Sequence, residues 1–142
     1  MPFPNRAEYD LLVYRLAEEH PEITLSTLRL YGTSAFTARL IGAIDFANGL
    51  QLRVIEALDF RIGRITDYSY TVYRGAEKIC WYDAQPHPDN PDLASTFPHH
   101  RHEPPDIKQN RVPAPGISFT APNLPVLIKD CGELGRARET RE

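Results

Sequence analysis

Apolar and polar positions change their period along this chain, and each change marks an element. From Arg6 to Glu19 the apolar residues Tyr9, Leu12, Val13 and Leu16 recur at intervals of three and four, with Glu18 and Glu19 on the other side. That spacing predicts an amphipathic helix within residues 1–20. Asn5 and Glu8 supply a capping box, and Pro21 stops the helix. His20 falls at its C-terminal end, where the helix dipole favours an imidazole without any chemical role.

From residue 23 the period drops to two. Leu28 and Leu30 alternate with Thr27, Arg29 and Tyr31, and a longer run from Phe36 to Phe46 repeats the pattern. Asn48-Gly49 is a strong hairpin signal because both residues tolerate positive φ, and Leu50 to Phe60 returns as the next strand. Gly63 and Gly75 mark two further turns, with strands near Arg64–Arg74 and Lys78–Asp83. Residues 23–83 therefore predict a five-stranded antiparallel β-meander, with the first helix covering one face.

After Asp83 the period is lost. Ten of the thirteen prolines lie between Pro86 and Pro125. Proline fixes φ and lacks a backbone donor, which argues against a helix interior or a central strand. Residues 84–121 thus predict a long, stiff Pro/His-rich loop, and a loop of that length is usually functional or disordered. Residues 122–134 predict a short C-terminal helix limited by Gly132 and Gly135, followed by a frayed tail over 135–142. The expected fold is α+β in a single domain spanning residues 1–142.

Composition narrows the function classes. An apolar fraction of 42 % and a charged fraction of 25 % are those of an ordinary globular chain. The formal net charge of −3 provides no global field toward nucleic acid or anionic lipid. A local basic patch is still available from Arg101, Lys108 and Arg111. The two cysteines, Cys80 and Cys131, have no metal-site or disulfide-scaffold spacing, and Cys80 reads as a small hydrophobe in a strand. The N-terminus lacks the apolar core of a signal peptide, and no run approaches the roughly 20 apolar residues of a membrane span. A cytoplasmic protein without membrane contact is the expectation.

The chemistry concentrates in the loop. Four of the five histidines, His87, His99, His100 and His102, lie within it. Two imidazoles with pKa values near about 6.5 can act as base and acid in cleaving an RNA phosphodiester, and Arg101 or Arg111 can clamp the phosphate. The same imidazoles, with Asp83, Asp89 or Asp92, can instead ligate a divalent metal, although the His99-x-x-His102 spacing on a loop fixes no shared face. Asp83, at the end of the last strand, can orient an imidazole or cap the turn that follows.

Glu56 is the one polar residue in the apolar row Leu50, Leu52, Val54, Leu58, Phe60. If that row faces the core, burial raises the Glu56 pKa and suits it to proton transfer. The plainer readings are a bulge that turns Glu56 outward, or a pair with Arg39 or Arg53. Tyr68 and Tyr70 share one face of the next strand, either lining a nucleic-acid groove or packing as half-buried sheet residues.

The string Trp81-Tyr82-Asp83-Ala84-Gln85-Pro86-His87, followed by Thr96-Phe97-Pro98-His99-His100-Arg101-His102, resembles the TumE-type toxins of bacterial toxin–antitoxin loci. That family's pattern is an aromatic-Asp-Asn-x-Pro-His motif and then Phe-Pro-His-His-Lys-His, preceded by a strand glutamate and a Tyr-x-Tyr strand. Glu56 and Tyr68-Ser69-Tyr70 match the preceding features in order. Ala84 stands in place of the asparagine and Arg101 in place of the lysine, the second change keeping the charge. The resemblance implies a toxin-like role and a cognate antitoxin partner.

Together these readings give an expected toxin acting on RNA as an endoribonuclease. His99 and His102 are the expected proton-transfer pair, Glu56 the coupled carboxylate, and His87 and Asp83 the support of the imidazoles. Tyr68, Tyr70 and Arg101 are expected to contact the nucleic acid. No cofactor is favoured. A divalent metal on His87, His99, His102 and Asp83 is the alternative, which would make the protein a hydrolase or phosphodiesterase. A non-enzymatic docking loop is the third reading, and homodimerisation stays open.

Overall fold

The computed structural model describes residues 2–86, 88–103 and 110–139, the last four of these without their side chains. Helix α1 spans Arg6–Glu19 as its spacing predicts. Both halves of the capping box form: Asn5 Oδ1 accepts the Glu8 N–H at 2.8 Å, and Glu8 Oε1 accepts the Asn5 N–H at 2.9 Å. Tyr9, Val13 and Leu16 form its buried stripe.

The strands are β1 (Ile23–Ser26), β2 (Arg29–Gly32), β3 (Thr37–Phe46), β4 (Leu50–Asp59), β5 (Arg64–Arg74), β6 (Glu77–Asp83), β7 (His100–His102) and β8 (Arg111–Pro113). A 3-10 helix covers Pro91–Thr96, and helix α2 covers Leu124–Glu139. All strands pair antiparallel in one sheet of order β1-β3-β4-β5-β6-β7-β8, with β2 beside β1 along the same edge of β3. No helix among the described residues is long and apolar enough to cross a membrane.

The α+β class and the two helices agree with the sequence reading, but among the described residues the sheet has eight strands, not five. Two of the additional strands, β7 and β8, lie inside the segment expected to be an irregular loop. The prolines do not forbid them, because they flank β7 and otherwise fall at Pro113, on the sheet edge where a missing N–H has no partner to fail. A three-residue strand is also too short to display a period.

Helix α2 runs through Gly132 and Gly135 to Glu139, past the expected end at residue 134. Each glycine costs about 1 kcal/mol of helix propensity. Gly135 is nonetheless needed for close packing: a Cβ there would lie 2.2 Å from Asn48 Nδ2, which donates to the Cys131 carbonyl at 3.3 Å. Tertiary packing overrides the local preference. At the β3–β4 hairpin only Gly49 takes positive φ (87°), so Asn48 acts through its side chain, accepting the Leu50 N–H at 3.0 Å.

Both helices lie on one sheet face. Tyr9, Val13, Leu16, Leu124, Leu127, Ile128 and Cys131 join Leu40, Ile44, Leu52, Val54, Val72 and Cys80 in a single core. The other face carries exposed Arg39, Ile41, Arg53 and Ile55, with Ile41 and Ile55 directly paired across β3 and β4.

Gly42 holds the edge of this sheet together. Its φ is +149°, and a Cβ would meet the Thr27 carbonyl oxygen at 2.6 Å and Leu28 Cα at 2.7 Å, in the link between β1 and β2. Gly42→Ala is expected to lose on the order of 2–3 kcal/mol of stability, read as a lower denaturation midpoint. Gly75 also has positive φ (60°) but open space around it, so Gly75→Ala should lose only about 1 kcal/mol. Equal midpoints for the two variants would show that the close approach at Gly42 carries no energy.

Candidate functional site

Alternation along β4 to β7 divides the candidate residues between the two faces of the sheet. Leu52, Val54 and Glu56 of β4, Tyr68, Tyr70 and Val72 of β5, Cys80 and Tyr82 of β6, and Arg101 of β7 face the helices. Tyr82 donates to Asp130 of α2 at 2.8 Å, and Arg101 pairs with the same carboxylate at 3.9 Å. Trp81, Asp83, His100 and His102 therefore face the other way.

On the helix side, Glu56 is fully buried. Its two oxygens accept hydrogen bonds from the hydroxyls of Tyr9 and Tyr70, and Asn123 Nδ2 donates to the Tyr70 hydroxyl at 2.9 Å. Burial raises the Glu56 pKa from the ordinary carboxyl value, with the tyrosine hydrogen bonds opposing in part. Burial, and then the Glu56 charge, likewise pushes Tyr9 and Tyr70 well above the usual phenol range. The row of β4 faces the core as one sequence reading has it, and neither Arg39 nor Arg53 pairs with Glu56.

Tyr68 stacks on Tyr70 with ring centres 4.6 Å apart, and its hydroxyl lies 2.7 Å from His99 Nδ1. Burial first, and the charge of His100 second, lowers the His99 pKa, while burial and the charges of Asp83 and Asp67 raise that of Tyr68. Both shifts favour an uncharged imidazole beside an uncharged phenol. His99 thus belongs to a chain His99–Tyr68–Tyr70–Glu56 on the helix side.

His100 and His102 sit on the far side, in register with Asp83 and Trp81 of β6. Their Nε2 atoms are 3.1 Å apart, and Asp83 Oδ2 is 3.8 Å from each. The imidazoles are 1 % and 3 % exposed, while the Asp83 side chain is 35 % exposed and forms the approach. The Gln85 N–H donates to Asp83 Oδ1 at 2.8 Å, which leaves Oδ2 turned toward the histidines. Trp81 stacks against His102 with centres 4.1 Å apart. Arg111 follows His102 in the same cross-strand row, and its Nε has no hydrogen-bond partner among the described residues.

The structure thus brings together Asp83 and His102 and sets Glu56, His99, Tyr68 and Tyr70 apart from them. Arg101 is engaged on the helix side by Asp130 and by Glu103 at 3.1 Å. His87 and Lys108 lie outside the described residues. His100 is the member that the sequence reading leaves out. The signal was present: a His-x-His step in an extended strand puts both imidazoles on one face, but an irregular loop has no such rule. The buried Cys80 thiol is pushed up to about 12 by its burial, which disqualifies it as a nucleophile.

A family model described as Toxin TumE matches residues 13–134. No curated protein and no solved structure gives a significant match.

Proposed function

The chain belongs to the TumE toxin family, and on that premise we propose that it cleaves RNA at a phosphodiester through the Asp83–His100–His102 group. Membership carries the coarser role, the toxin component of a toxin–antitoxin system, with an antitoxin as partner in general. The observation that favours RNA is the surface next to the group. The Arg53 guanidinium stacks 4.0 Å over the Tyr73 ring, and the Lys78 ammonium lies 4.8 Å from the Trp81 ring centre. Arg111 extends the same row. Cations interleaved with aromatic rings suit single-stranded nucleic acid, charge meeting phosphate and rings meeting bases.

The spacing of the imidazoles bears on how they act. Nitrogens 3.1 Å apart leave no room for a phosphate between them. His100 and His102 therefore work as one unit on one side of the scissile bond, not as base and acid across it. In a direct test, single-stranded RNA is incubated with the purified chain and resolved on a denaturing gel. Wild type should cut, and His102→Ala should cut at least about 100-fold more slowly. Intact RNA from a preparation that arrests growth when expressed would overturn the reading.

A further inference from the structure

We propose that Asp83, His100 and His102 form a binding site for one divalent transition-metal ion of the zinc class. This rests on the same group as the function above but concerns what it holds, not what it cuts.

The case starts from the three distances. A 3.1 Å separation of the two Nε2 atoms by itself suits a hydrogen bond between imidazoles. The carboxylate adds a third donor atom to the pair. Asp83 Oδ2 stands 3.8 Å from both nitrogens, too far to bond either, yet equally far from each. Three donor atoms on a triangle of those sides share a centre about 2.1 Å from every corner, the bond length of imidazole nitrogen and carboxylate oxygen to zinc. They are the sole metal-capable group of three among the described residues.

Each donor is also held by a neighbour, as metal ligands are. His100 Nδ1 lies 3.4 Å from the Pro98 carbonyl, which it reaches by donating, so that the ring presents Nε2 to His102 and Asp83. Asp83 has one oxygen committed to the Gln85 backbone and the other aimed inward. Trp81 fixes the His102 ring plane by stacking. Two imidazoles and one carboxylate favour zinc, iron, cobalt or nickel over magnesium or calcium, which prefer all-oxygen sites. An ion at the centre of three donors keeps open positions, and the exposed side of Asp83 gives water access to them.

The test uses the full chain, stripped with chelator and titrated with Zn2+ and, for its absorption bands, Co2+. Wild type should bind one equivalent, and its thermal midpoint should rise on adding Zn2+. His100→Ala and Asp83→Asn should each bind at least ten-fold more weakly, with no rise in midpoint. His99→Ala should bind as wild type does, because its imidazole faces the helices. Circular dichroism of each variant confirms that it is folded before it is scored, and Asp83→Asn, nearly isosteric, serves if His100→Ala fails to fold. Absence of saturable binding by folded wild type, or unchanged binding by both site variants, overturns the proposal. The two readings separate cleanly: one equivalent bound with RNA left intact removes the RNA function alone. RNA cleavage by folded wild type that binds no Zn2+ removes the metal site alone.

Discussion

Glu56→Ala is expected to lose on the order of 4 kcal/mol of stability, a large share of what a chain of this size has. Two losses combine. The first is the cavity left beneath β4, at a position with no solvent exposure. The second is the orphaning of hydroxyls: Tyr9 loses its described side-chain acceptor, and Tyr70 keeps only its contact with Asn123. Glu56→Gln separates the charge from the shape. Its amide oxygen can still accept from one tyrosine and its amide nitrogen can donate to the other hydroxyl, so at neutral pH the variant should match wild type within about 1 kcal/mol.

The pH dependence gives a second readout of the same residue. The folded-state pKa of Glu56 is raised, so its contribution is fully present below the unfolded value of about 4.3 and is lost as pH rises toward the folded value. Wild type should therefore lose stability through mildly acidic pH relative to Glu56→Gln, which has no such slope. His99 acts in the opposite sense. Its pKa is lowered, so its contribution is present above about 6.5 and is lost as pH falls. Urea midpoints of wild type, Glu56→Gln and His99→Ala across this range resolve the two slopes, and parallel curves for wild type and Glu56→Gln would show that burial does not shift the carboxyl.

The sequence is most legible where periods are long. The 14-residue helix α1 and the ten-residue strands β3 and β4 repeat their patterns several times, and their edges carry distinct turn chemistry. The anomalous Glu56 is visible for the same reason: ten residues of alternation make one misfit stand out. Legibility fails for β7, where His-Arg-His offers a single alternation among prolines. That failure extends to the site. Reading the segment as a loop removes the rule that assigns His100 and His102 to one face, and with it the rule that sends His99 to the other. Proximity in sequence then suggests a pair, His99 and His102, that the sheet divides. Helix α2 errs differently, since Gly135 is explained by Asn48, which lies 83 residues from its partner Cys131 and so in no local window.

Growth arrest should follow this division of faces. On induced expression, His102→Ala and His100→Ala are expected to restore growth nearly to that of empty vector, with rates of the underlying reaction down on the order of a thousand-fold. His99→Ala and Tyr68→Phe are expected to keep most of the arrest, because they alter only the helix-side chain His99–Tyr68–Tyr70–Glu56. Arg101→Ala should behave as they do: it loses its ion pairs to Asp130 and Glu103, which lowers stability slightly at a partly buried position without touching the histidine face. Soluble protein is quantified for every variant, so that loss of arrest is not confused with loss of the chain. The decisive comparison is His99→Ala against His102→Ala. Rescue by both, with both soluble and folded, would mean that the sheet does not insulate the two groups and that Tyr68 passes the effect of one face to the other. Rescue by His99→Ala alone would move the reacting centre to the helix side, where Tyr68 and the neutral His99 imidazole form the proton-transfer couple.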